Sequence, residues 1–279
     1  MGDYRDYLLS ALFGVIEGLT EFLPVSSTAH LRLVKEPLGL IEDPYWKMYD
    51  VVIQLGAILA VVVYFRSRLV KFARTFPRGE AGDRTALTHP LTLVLLAFCV
   101  TAVPAFLLSR VIKDNLESLW IMGGALLVGG VVMWVVDVKL GGKGKTAEME
   151  RVRLPQAVIV GAMQILAAVF PGTSRSMSTI AGGQIAGMTR QTALEFSFFL
   201  AIPTMFAACA FDLKDTIERG LEMDAHRWGV LAVGFVVSFA VALAVIAWFM
   251  AWVRTRGFVP FAIYRIAIGL VVLGYAATR

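Results

Sequence analysis

The chain is short of charge. Asp, Glu, Lys and Arg make up 17% of its 279 residues, against about 25% in an ordinary soluble domain. Histidine numbers only three (His30, His89, His226) and cysteine two. Cys99 and Cys209 both fall inside apolar runs, where a thiol acts as a small buried hydrophobe. No Cys/His pair has the spacing of a zinc module, which excludes that class. Nucleic-acid motifs are absent as well, so the net charge of +5 does not point to nucleic acid. The stretch starting Met1-Gly2-Asp3-Tyr4 has no basic region ahead of an apolar core, so it does not read as a cleaved signal peptide. Gly2 also lacks the Ser or Thr that myristoylation requires.

What the chain has in excess is apolar surface: 58% of residues are hydrophobic and the mean hydropathy is +0.72. Runs near 20 residues long match the ~30 Å of a bilayer's hydrocarbon. They predict full spans at 48–65, 90–109, 119–138, 193–211, 228–252 and 258–277. Two further apolar segments, 7–47 and 154–190, are broken by Pro, Gly and hydroxyl residues, and neither reads as one clean span. The fold class expected is therefore all-α and polytopic, in a single integral membrane domain over 1–279.

Loop charge sets the expected orientation. Arg66, Arg68, Lys71, Arg74, Arg78 and Arg84 follow the first span, and Lys139, Lys143, Lys145, Arg151 and Arg153 follow the third. The loop at 212–227 is acid-rich (Asp212, Asp215, Glu218, Glu222, Asp224), and the loop at 110–118 is balanced. The positive-inside rule places the basic loops in the cytoplasm and the other two outside. Each broken segment must then enter and leave on one side, as a re-entrant hairpin, one from each face.

An internal repeat agrees. The stretch from Gly14 to Ser27 matches that from Gly161 to Ser174 at an offset of 147, the step from Pro24 to Pro171. The offset pairs Glu17 with Gln164, Ser26 with Thr173, Ser27 with Ser174, and Thr28 with Arg175. Each half, about 1–138 and 154–279, holds one hairpin and three spans, and an odd number of spans inverts the second copy. Inverted repeats with broken helices bind their ligands at the repeat interface. Small-residue runs at Gly123-Gly124-Ala125 and Gly129-Gly130 predict close helix packing.

Three constellations carry chemistry. Glu17 and Glu21, four apart, share one helical face inside an apolar stretch. Intramembrane carboxylates mark function unless they simply reach interfacial water. Next comes Pro24-Val25-Ser26-Ser27-Thr28-Ala29-His30, a helix stop, a run of capping hydroxyls and a histidine one turn on. Such a helix start is an anion site, and His30 titrates near neutrality; the plainer reading is a capped turn. The third is Pro171-Gly172-Thr173-Ser174-Arg175-Ser176-Met177-Ser178-Thr179, the same break carrying an arginine. A guanidinium there suits phosphate oxygens, or else a permanent ion pair with Glu17 or Glu21. If the hairpins meet, acids, hydroxyls, a histidine and a cation converge, as phosphoryl transfer requires.

These two motifs resemble the undecaprenyl-diphosphate phosphatase family, also called the bacitracin-resistance protein family, and the likeness covers essentially the whole chain. It implies a bacterial inner-membrane enzyme that removes the terminal phosphate of a C55 isoprenyl diphosphate and so recycles the cell-wall carrier lipid. It also implies an active site open to the periplasm and Mg²⁺ or Ca²⁺ as cofactor; no organic cofactor is expected. The expected catalytic set is Glu17, Glu21, Ser27, His30 and Arg175, with Glu17 and Glu21 the candidate metal ligands. The expected phosphate-binding set is Ser26, Thr28, Gln164, Thr173, Ser174, Ser176 and Thr179. The nucleophile is open among Ser27, His30 and a water activated by Glu21. The expected partners are the lipid-linked diphosphate and membrane lipids, with a homodimer left open. A secondary transporter or lipid flippase with a midplane anion site is the alternative function.

Overall fold

The computed structural model describes residues 2–109, 118–218 and 223–278. The loop expected at 110–118, apart from Ser118, lies outside these residues, as does Glu222 of the acidic loop. Among the described residues all regular structure is helical, save an isolated bridge between Thr146 and Met188. In chain order the α-helices are α1 (Gly2–Thr20), α2 (Ser27–Lys35), α3 (Pro44–Tyr64), α4 (Arg66–Thr75), α5 (Pro90–Leu107) and α6 (Leu119–Leu140). They continue with α7 (Leu154–Val169), α8 (Arg175–Ile185), α9 (Arg190–Glu218), α10 (Ala225–Thr255) and α11 (Val259–Ala277).

Six of these, α3, α5, α6, α9, α10 and α11, are long and apolar enough to cross a membrane. They coincide with the six expected spans, and the protein is an all-α, polytopic membrane protein. The largest difference at a start is in α3, which begins at Pro44 instead of 48. Proline's fixed φ and missing N–H suit the first helical position, so the helix starts there.

The chain forms two compact units. The first comprises Met1–Phe22, Ser27–Tyr64 and Ala201–Trp248. Its core is aromatic, built from Phe13, Tyr45, Trp46 and Tyr49 with Ile53, Val230 and Leu231. Serine hydroxyls inside it are matched: Ser10 Oγ donates to Val230 O at 2.6 Å, and Ser238 Oγ to Ile53 O at 2.7 Å. That is what a chain without access to water must do, since an unmet buried polar group costs several kcal/mol.

The second unit comprises Leu23–Ser26, Phe65–Leu200 and Phe249–Arg279. Here α6 packs along α11, α5 on α7, and α7 on α8. The glycines of α6 allow the first of these contacts. A side chain on Gly269 would stand 3.0 Å from Gly123 O and 2.8 Å from Leu127 N, so the two backbones all but touch. Near the C-terminal end of α6, buried Asp137 accepts from Arg190 Nε at 2.7 Å and from the Phe258 backbone N–H at 2.8 Å.

Two breaks interrupt the helices where the sequence predicted them. The first, residues 21–26, separates α1 from α2, and the second, 170–174, separates α7 from α8. The tip of the first, Leu23–Ser26, belongs to the second unit and is bonded to the other break. Ser176 Oγ donates to Leu23 O at 2.9 Å. Arg265, from the middle of α11, does the rest. Its guanidinium donates to Pro24 O (3.1 Å), Gly172 O (3.0 Å), Thr173 O (2.9 Å) and Ala125 O (3.2 Å), and the side chain is fully buried. The absence of a side chain at Gly129 leaves its space; a Cβ there would meet Arg265 Nη2 at 2.6 Å.

Arg265→Lys should lower the detergent melting temperature by several degrees, because an ammonium on a flexible stem does not reach four diverging carbonyls. Unmet buried carbonyls cost about 1–3 kcal/mol each. Gly129→Val should do the same by displacing the guanidinium. The double variant should fall well short of the summed loss, since both changes break one interaction; full additivity in a thermal melt would disprove the clamp.

Candidate active site

The first cluster lies in the first unit, where α1 ends and α2 begins. The helical bond from Glu21 N to Glu17 O, at 2.9 Å, holds the two carboxylates one turn apart on the same face. Both are buried, at 2% and 8% exposure, and Glu17 is in hydrogen-bonding reach of Glu21. Ser27, the first residue of α2, is also buried and donates its Oγ proton to Glu21 Oε2. A serine hydroxyl held by a buried carboxylate at a helix start is an alcohol poised to lose its proton. Thr28 is exposed, and His30, three residues after Ser27 on α2, is half-buried.

The sequence reading missed the cation of this cluster. Lys35, at the last turn of α2, is 3% exposed and pairs with Asp50 of α3. Its ammonium donates to Trp46 O at 3.1 Å and stands 5.0–5.5 Å above the rings of Phe13, Trp46 and Tyr49. It interacts electrostatically with Glu17 as well. The signal available was a Lys and an Asp flanking the aromatic stretch 45–49, but nothing in their spacing paired them.

The second cluster, in the second unit, begins α8. Ser174 is the N-cap, its Oγ accepting from Met177 N at 3.3 Å and lying 3.0 Å from Ser176 Oγ. Arg175 is half-buried, and its Nη1 donates to Ser197 O at 3.2 Å. Ser197 was not singled out from the sequence, yet its Oγ also meets Thr179 Oγ1 at 2.6 Å, so α9 fixes both residues of α8. Thr173 is buried and gives its carbonyl to Arg265. Gln164 sits at the α7–α5 contact, where its Nε2 donates to Thr101 Oγ1 at 3.0 Å. Thus Ser176, Thr179 and Gln164 tie helices together, while Ser174 and Arg175 sit at the helix start.

The two breaks match more closely in geometry than in the aligned sequence. Ser26 and Ser174, the residues just before α2 and α8, have φ of +74° and +68°. The structural offset at these serines is therefore 148, not the 147 of the aligned sequence. Arg175 then corresponds to Ser27 instead of Thr28. Each occupies the first position of its helix, beside the N–H groups that point at an anion.

Glu17 and Glu21 can hold a divalent cation in part. Glu17 Oε1 is buried with no hydrogen-bond partner among the described residues. No group of three metal-binding side chains occurs among those residues. A pair of carboxylates suits Mg²⁺ or Ca²⁺ that takes its other ligands from water and a bound phosphate.

Comparison with known proteins carries the argument past geometry. Residues 10–271 match the family model described as bacitracin resistance protein BacA. An undecaprenyl-diphosphatase of Koribacter versatilis is 59% identical, the match covering 98% of this chain and 99% of that one. Others named undecaprenyl-diphosphatase, from Novosphingobium aromaticivorans and Caldanaerobacter subterraneus, are 45% and 39% identical over 96% of this chain and at least 95% of their own. With likeness of that extent through both breaks and the six spans, the chain belongs to the bacitracin-resistance protein BacA family.

Proposed function

We propose that the protein hydrolyses undecaprenyl diphosphate to undecaprenyl phosphate and inorganic phosphate, as a phosphoric anhydride hydrolase of the bacterial inner membrane whose site faces the periplasm. The observation that carries the mechanism is the bond from Ser27 Oγ to Glu21 Oε2. Ser27 Oγ attacks the terminal phosphorus and gives its proton to Glu21. The bond from that phosphorus to the bridging oxygen breaks, and the lipid monophosphate leaves. Water then attacks the phosphoserine, with His30 taking its proton; the bond from phosphorus to Ser27 Oγ breaks, Glu21 returns its proton to that oxygen, and phosphate leaves. Arg175 and the amides starting α2 and α8 take up negative charge on the phosphoryl oxygens. The hydroxyls of Ser26, Thr28 and Ser174 share that task, and Ser176, Thr179, Thr173 and Gln164 position the turns that carry them. A divalent cation held by Glu17 and Glu21, when bound, would neutralise phosphate charge. The apolar spans bury the isoprenyl tail against them.

Protein purified in detergent, with no gradient to run, should release phosphate from a long-chain isoprenyl diphosphate; binding without release would favour the transporter reading. Arg175→Ala should cut kcat/KM by roughly a hundred- to a thousandfold, the usual effect of losing one transition-state donor. A near-normal rate would remove Arg175 from the chemistry. Ser27→Ala should abolish a ³²P-labelled adduct that acid quenching traps in the parent protein. If no adduct forms and the rate of Ser27→Ala stays within tenfold, water activated by Glu21 is the nucleophile.

A further inference from the structure

The second unit contains a cavity that the phosphatase chemistry does not use. It has a volume of about 830 Å³ and lies between α4 with its following loop and the segment at 148–153. These elements share one end of the spans: α4 follows the last residues of α3, α5 starts at Pro90, and 148–153 lies between α6 and α7.

The charges lining it fall into two groups. Arg68 binds Glu150 through both carboxylate oxygens at 3.1 Å and contacts Glu195 at 2.9 Å. Lys71 pairs with Glu80, and Arg151 with Glu148 at 2.9 Å. Arg84 has only Asp83, and that at 4.0 Å, while no carboxylate pairs with Arg153 among the described residues. Between them the cavity wall includes His89, fully buried, whose Nε2 has no hydrogen-bond partner among the described residues. Its Nδ1 accepts from Leu91 N at 3.3 Å, so in the neutral ring the proton is on Nε2. Burial, with the Arg84 charge second, holds that imidazole below its ordinary range, so it is neutral near pH 7. The N-terminus of α5 adds its positive dipole at the same wall. Five cations therefore face four carboxylates on this wall, with Arg84 held only loosely and no carboxylate on Arg153 among the described residues.

We propose that this cavity binds the headgroup of an anionic phospholipid, its phosphodiester received by Arg84 and Arg153. A lipid fits better than a dissolved anion because of α4. That short helix carries Arg66, Arg68, Lys71 and Arg74, while Val70 and nearby Phe76 are about half exposed. Such a pattern lies in the membrane interface, at headgroup depth. Basic pockets at the ends of spans take lipid phosphates by the same electrostatics.

The test is native mass spectrometry of the full chain in detergent, with phosphatidylglycerol and phosphatidylcholine offered at equal concentration. Phosphatidylglycerol should be retained preferentially. R84Q/R153Q should weaken its retention roughly thirtyfold, at about a fivefold loss for each cation, while phosphate release from the isoprenyl substrate stays unchanged. Equal retention of both lipids by the parent protein would overturn the proposal without need of any variant. Unchanged phosphatidylglycerol retention by R84Q/R153Q would overturn the site assignment. Displacement of the lipid by millimolar inorganic phosphate would make this a free-anion site and overturn the lipid assignment.

Discussion

One buried charge organises the two helix breaks of this protein. Arg265 stands inside an apolar span with no water to solvate it, and a charge there must find dipoles. It finds four backbone carbonyls, two from the second break, one from the first and one from α6. The dependence is mutual. Breaks in helices leave carbonyls with no helical partner, and within a membrane these are as costly as the charge. Each side of the contact therefore resolves the other's deficit, and two chain reversals with little packing of their own become one fixed object. Gly129 is part of this device, since any side chain there would occupy the guanidinium's space.

The two turns lead directly into α2 and α8, whose first residues the proposed mechanism uses. Ser27 and Arg175 hold the same position in the two breaks, the first residue of the helix after a serine of positive φ. One break offers an alcohol backed by a carboxylate, the other a guanidinium backed by Ser197 O. The same local geometry has been given opposite chemical characters, the two that the proposed phosphoryl transfer would draw on. The sequence offset of 147 hid this equivalence, because the positive-φ serines stand 148 apart and the register differs by one at the very residues that carry the chemistry.

Much of this was legible in the residues. Spans are a matter of hydropathy over about 20 positions, and each of the six lies where the apolar runs put it. The breaks were legible because Pro24 and Pro171 stop helices locally, whatever surrounds them. Glu17, Glu21 and Ser27 come together because they are neighbours along the chain. Long-range partners were not legible. Thr179 and Gln164 looked like phosphate ligands, but their bonds to Ser197 and Thr101 join helices far apart in sequence. Lys35 and Asp50 were hidden for the same reason. Arg265 is different: an arginine in the run 258–277 was visible, and the cost of an intramembrane charge should have marked it.

The two strained serines show what this rigidity is for. A non-glycine residue at positive φ costs of the order of 1–3 kcal/mol, and glycine at either position would remove that strain. Glycine would also remove the hydroxyl, and at Ser174 the hydroxyl caps α8 by accepting from Met177 N. A cap is worth about 1 kcal/mol, and glycine in its place loses only a few tenths of that. Capping alone therefore does not offset the strain at Ser174. The Ser174 hydroxyl also lies 3.0 Å from Ser176 Oγ, and in the proposed mechanism it would meet the phosphate at the helix start. Strain that the Arg265 contacts can hold, kept at both breaks beside the residues that begin α2 and α8, is what the proposed mechanism would ask of turns built in advance of a substrate.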